Sequence, residues 1–79
     1  MTTDVTPDIA EVILAGSSIS AQRNDDGTIT VDARREHEPY GLNDHFALET
    51  WAIHRWGPQW WGTAWSNDGS YLSVTLSRK

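Results

Sequence analysis

Two stretches of this chain alternate apolar and polar side chains on either side of a turn. In the first, Ile19 and Ala21 alternate with polar residues, and after the turn Ile29, Val31 and Ala33 do the same. Successive side chains of a strand point to opposite faces, so this period of two predicts a hairpin with one apolar face. Asp26-Gly27 marks its turn, where tight hairpins need positive φ angles. The second stretch, "WWGTAWSNDGSYLSVTLSRK", repeats the design: Trp61, Thr63 and Trp65 alternate, Asn67-Asp68-Gly69 turns the chain, and Leu72, Val74 and Leu76 alternate on the return. Strict alternation puts Trp61 and Trp65 on one face and Trp60, with Gly62 and Ala64, on the other. Asn24, Asp25, Val31 and Arg35 recur forty-three residues later as Asn67, Asp68, Val74 and Arg78. That offset raises a duplicated unit, although the turn chemistry common to hairpins explains the recurrence as well.

The segment "TPDIAEVILAG" predicts a short helix. Thr6 caps it, Pro7 suits the first helical position, Asp8 and Glu11 favour the positive end of the dipole, and Gly16 ends it. Ile9, Ala10, Val12 and Ile13 form its apolar stripe, with the β-branched pair Val12-Ile13 leaving a strand as the alternative. "EHEPYGLND", residues 36–44, reads as a loop between two halves. In "HFALETWAIHRW" the apolar residues scatter around a helical wheel, whereas a strand puts Phe46, Leu48, Ala52 and Trp56 on one face and Trp51 and Ile53 on the other. The strand is therefore favoured, and a cap at Asn43 or Asp44 is the argument for a helix, which would give the order αββαββ. The predicted fold is α+β: one domain over 1–79, an N-terminal helix packed on an antiparallel sheet of two hairpin units, a Trp-rich core, and a flexible tail at 1–5.

A chain of 79 residues buries a modest core. The aliphatic set (Ile9, Val12, Ile13, Leu14, Ile19, Ile29, Val31, Ile53, Leu48, Leu72, Val74 and Leu76) plus Phe46 is thin, so tryptophans are expected to fill it. All five lie within residues 51–65. With no cysteine, neither a disulfide nor a thiolate zinc site holds the fold. No apolar run approaches the ~20 residues that span a bilayer, and the N-terminus lacks the basic start of a signal peptide, so a cytoplasmic protein is expected. The net charge of −5 is unevenly placed: residues 1–50 carry ten acids and three bases, residues 51–79 one acid and three bases. An acidic surface repels phosphate and anionic lipid, which disfavours direct nucleic-acid and membrane binding and favours a basic protein partner.

Candidate chemistry is sparse. With Gly27 or Gly69 as the loop glycine of an EF-hand, Ala33 or Thr75 falls where the bidentate acid belongs, so both turns are read as hairpins. Glu36, His37, Glu38, Asp44 and His45 cluster near one loop without a second ligand group at fixed spacing, and no cofactor or metal is expected. The serines lack a nucleophile elbow. What remains is a non-enzymatic binding protein that occludes a partner protein's surface, of the kind that phage-type inhibitors and immunity partners exemplify. Trp60, Trp56, Arg55 and Tyr40 are its expected anchors, and Asp25, Asp26, Glu36 and Glu38 its steering acids toward a basic site, such as one that binds nucleic acid. Homodimerisation through the Trp surface is compatible with it. The alternative is a small-ligand domain that stacks a carbohydrate or a cationic group on Trp rings.

Overall fold

In the computed structural model, which describes residues 6–79, the two hairpins meet at their centre; the tail expected at 1–5 lies outside the described residues. The elements are α1 (Pro7–Ile13), β1 (Ser18–Arg23), β2 (Ile29–Arg34), α2 (Asp44–Trp56), β3 (Trp60–Asn67) and β4 (Tyr71–Arg78). The antiparallel sheet runs β1-β2-β4-β3, and the N-terminal helix precedes the strands of an α+β domain. β2 pairs with β4 so that Ile29, Val31 and Ala33 lie opposite Leu76, Val74 and Leu72. All six are buried on one face. Residues of the other face, Thr30, Asp32, Ser73 and Thr75, are only partly covered.

α1 forms as its cap predicts. Thr6 Oγ1 accepts the Ile9 N–H at 3.2 Å, Pro7 opens the helix, and Gly16, at φ +80°, turns the chain out of it. α1 packs beside α2. Ala10 and Leu14 are buried and Ile13 partly so, while Ile9 and Val12 of the expected stripe are exposed.

Residues 44–56 are a helix, which corrects the favoured strand. Gly41 N–H donates to the Asp44 carboxylate at 2.7 Å just before the first turn, and Asp44 itself suits the helix's positive end. Gly57, at φ +116°, stops the helix, its N–H donating to the Ile53 carbonyl. The apolar residues scatter around the wheel because α2 is packed on two sides. Ala47, Leu48 and Ala52 are buried in the core, and α1 lies alongside.

The resulting αββαββ order repeats at the forty-three-residue offset. Advanced by that offset, β1 falls on β3 and β2 on β4, and Val31 lies directly opposite its counterpart Val74. The hairpin registers also agree: Ser18↔Arg34 and Ile19↔Ala33 correspond to Trp61↔Ser77 and Gly62↔Leu76. The agreement ends at Thr63. There the pairing jumps from Gly62↔Leu76 to Ala64↔Thr75, which leaves Thr63 as the extra residue of a β-bulge.

That bulge overturns the expected arrangement of tryptophans. Before it, Trp60 and Gly62 share the helix-covered face, and Trp60 is 5% exposed. After it, Trp65 lies opposite the buried Val74 and so faces the helices too, at the sheet's border, where it stays 45% exposed. Trp61 points to the uncovered face beside Ser77 and is 51% exposed. Trp61 and Trp65 therefore occupy opposite faces, and Trp60 is the core residue. Alternation could not show this, because an inserted residue inverts the phase of everything beyond it.

Two outcomes follow in thermal and urea unfolding. Trp60→Ala should cost about 3–5 kcal/mol, whereas Trp61→Ser should change stability little. Val74→Asp, a carboxylate in the middle of the apolar face, should abolish cooperative melting; a melt within a few degrees of wild type would refute the β2–β4 register.

Candidate functional site

The structure divides the expected site residues into three groups. Trp60 and Tyr40 are buried and thus are not exposed anchors. Tyr40 is a loop anchor: its hydroxyl shares a 2.6 Å hydrogen bond with Ser17 Oγ, and its N–H donates to the Gly69 carbonyl. Arg35 ties the same loop down. Its guanidinium donates to the carbonyls of Ile13 (2.7 Å), the last residue of α1, and Ala15 (3.3 Å) and to those of Glu38 (2.8 Å) and Pro39 (3.4 Å), and it sits 4.3 Å from the Tyr40 ring centroid. The segment between β2 and α2 is therefore an anchored loop, held by Arg35, whose place in the sequence shows only its recurrence as Arg78.

Arg55 and Trp56 do come together, and Trp51 joins them. The Arg55 guanidinium lies 5.7 Å from the centroid of each indole, and the two indoles meet edge to face at 6.1 Å. Their spacing explains the cluster, because residues four apart stack on one side of α2 and Arg55 and Trp56 sit in its last turn. Trp51 and Trp56 are partly buried against the core, and Arg55 is exposed. These three side chains form one wall of a groove of about 290 Å³, whose other wall is Ile19, Ser20 and Ala21 of β1. A second hollow, of about 380 Å³, runs from Trp51, His54 and Arg55 to Pro7, Asp8 and Glu11.

The acids lie around β1. Asp25 and Asp26 occupy the β1–β2 turn, where Gly27 N–H donates to the Asn24 carbonyl and Asn24 N–H to the Thr28 carbonyl. Positive φ falls on Gly27 alone, the pattern of a three-residue hairpin loop. Asp26 Oδ1 accepts from the Thr28 hydroxyl (2.6 Å) and N–H (3.0 Å), which together hold its carboxyl below the usual range. Glu36 lies at the opposite end, lining a hollow with Gly16, Ser18, Arg34, Arg35 and His37. Glu38 follows in the same exposed loop.

Elsewhere, Phe46 and Trp65 approach at 6.4 Å beside Glu49, and on the uncovered sheet face Asp32 neighbours Tyr71. The neighbouring Asp32 carboxylate, whose Oδ1 is buried without a hydrogen-bond partner, pushes Tyr71 above its ordinary value, with burial adding to the shift. Among the described residues no three His, Asp or Glu side chains converge as metal ligands.

Tyr71 carries a pH expectation. Since its folded value is raised, its contribution to stability is complete below the ordinary tyrosine value of about 10 and is lost as pH rises through the raised one. In an alkaline ultraviolet titration Asp32→Asn should move one of the two tyrosines downward; an unchanged curve would mean that the pair does not interact.

Comparison of the chain with protein-family models, with curated proteins and with solved structures finds no match in any of the three.

Proposed function

We propose that this chain is a non-enzymatic binding protein that works by occupying the surface of a partner protein. The observation that carries the reading is the Trp51–Arg55–Trp56 cluster. A guanidinium between two indoles at a groove's rim supplies the residue types that dominate interface energetics, arranged so that a partner's approach desolvates all three together. Trp51 thus takes the place expected for Trp60.

Asp25, Asp26, Glu36 and Glu38 are exposed at the two ends of the neighbouring strand. There they raise the encounter rate with a basic surface, including one built to hold nucleic acid, disfavour acidic partners, and make the complex sensitive to salt. Small acidic inhibitors and immunity partners work by this combination. The competing reading, a sugar or cation stacked on Trp, finds less support: the paired indoles are edge to face at 71°, and Arg55 already lies over both rings.

Affinity capture from a lysate of the native host tests the reading. Proteins retained by wild type and by Trp61→Ser should be lost with Arg55→Glu and released by added salt. Capture of the same proteins by all three forms would sink the assignment of this surface.

A further inference from the structure

The two borders of the sheet, equivalent under the internal repeat, are treated differently. On β3, Glu49 reaches from α2 to accept the Gly62 N–H (3.2 Å) and the Trp65 indole N–H (3.0 Å), and the Thr63 bulge breaks the strand's line. Both are devices that keep an edge from pairing with another chain. β1 has neither. Its register with β2 runs unbroken from Ser18↔Arg34 to Arg23↔Ile29. The position that corresponds to Glu49 is Thr6, whose hydroxyl caps α1.

The exposed edge of β1 is specific in its backbone. The Asn24 N–H donates inward to Thr28, so alternation along an antiparallel ladder turns Gln22, Ser20 and Ser18 toward β2. The N–H and C=O groups of Ile19, Ala21 and Arg23 then face outward. The side chains of these three point to the helix-covered face, since they lie opposite the buried Ala33, Val31 and Ile29. Ala21 is small and exposed, which leaves the groove between it and Trp51, Arg55 and Trp56 open from the side.

We infer that β1 is a strand-addition edge that receives an extended segment of the partner, apolar at alternate positions and basic at its ends. The inference rests on the binding-protein reading above and specifies its mode. Main-chain hydrogen bonds to Ile19, Ala21 and Arg23 supply the attachment, and alternate side chains of the segment lie against the indoles. The charge at the ends decides the occupant. Asp25 and Asp26 at one end and Glu36 and Glu38 at the other outnumber Arg23 and Arg34, while Arg35 is committed to carbonyls. A second copy of this chain fits badly. Antiparallel pairing of two β1 strands about Ala21 sets the Asp25–Asp26 turn of one beside Ser17, Ser18 and Glu36 of the other, twice over.

The probe is a short synthetic peptide with valine and threonine alternating through its centre and Lys-Arg at both ends. It should perturb the amide signals of Ile19, Ala21 and Arg23 and the indole signals of Trp51 and Trp56. Methylating the alternate peptide amides that face β1 should weaken binding about tenfold or more, and methylating the other set should not. Ala21→Pro places proline where the nitrogen points outward, so the β1–β2 ladder survives while binding falls by a similar factor. Should that variant not fold, Asp25→Lys with Glu36→Lys leaves the backbone alone and should also weaken binding about tenfold. Equal binding of both methylated peptides, still sensitive to Arg55→Glu, would overturn strand addition and leave the binding surface standing. No binding of the parent peptide, or concentration-dependent dimers abolished by Ala21→Pro, would likewise overturn the inference; loss of the surface itself shows instead as indifference of lysate capture to Arg55→Glu.

Discussion

The pairing of β2 with β4 is the constraint on which the rest of the molecule depends. It is the one contact between the two hairpins that lies in mid-sheet, and it aligns Ile29, Val31 and Ala33 with Leu76, Val74 and Leu72 into a single apolar face. Burying each larger aliphatic there is worth about 1.5–3 kcal/mol, more than any surface term in so small a domain. α2 lays Ala47, Leu48 and Ala52 on that face, the two alanines allowing close approach, and α1 adds Ala10 and Leu14 from alongside α2. Because Val31 and Val74 are counterparts in the repeat, the two halves are joined about a local twofold relation, and the edges β1 and β3 become equivalent positions.

The departures from that equivalence are where specificity enters. One inserted residue, Thr63, sends Trp60 into the core, leaves Trp65 at a guarded border and turns Trp61 to the uncovered face. Glu49 then satisfies an edge amide and an indole together, so β3 offers no free template for pairing. The corresponding border on β1 keeps its amides and gains a wall of two indoles and a guanidinium from the end of α2. A protein built of two similar halves thereby acquires one closed edge and one open one.

Loop order contributes to the same asymmetry. Arg35 gathers four backbone carbonyls from the end of α1 and from the segment after β2, and Tyr40 closes that segment onto Ser17 and Gly69. A guanidinium hydrogen-bonded to neutral carbonyls keeps its charge but has little freedom left to meet a partner. Glu36 and Glu38 are consequently presented from a fixed loop, and Asp26 from a turn stiffened by Thr28.

Local chemistry was legible in the sequence wherever one or two residues decide the outcome. The Thr6 cap, Pro7, the Gly16 stop, both hairpin turns and the alternation of Leu72, Val74 and Leu76 each follow from backbone and side-chain preferences acting over a few positions, and the offset of forty-three residues was visible in the recurring turn residues. Three matters were decided only by the tertiary structure. Residues 44–56 became a helix because α1 and the sheet bury two separate sides of it, which erases the single-stripe pattern by which a helix is recognised. Trp60 and Tyr40 proved internal, and Trp51 joined Arg55, because which tryptophan is covered depends on a bulge that pairing with β4 reveals and periodicity conceals. The contrast between a guarded and an open edge depends on where Glu49 reaches from another element, a contact thirteen residues away along the chain that no local pattern encodes.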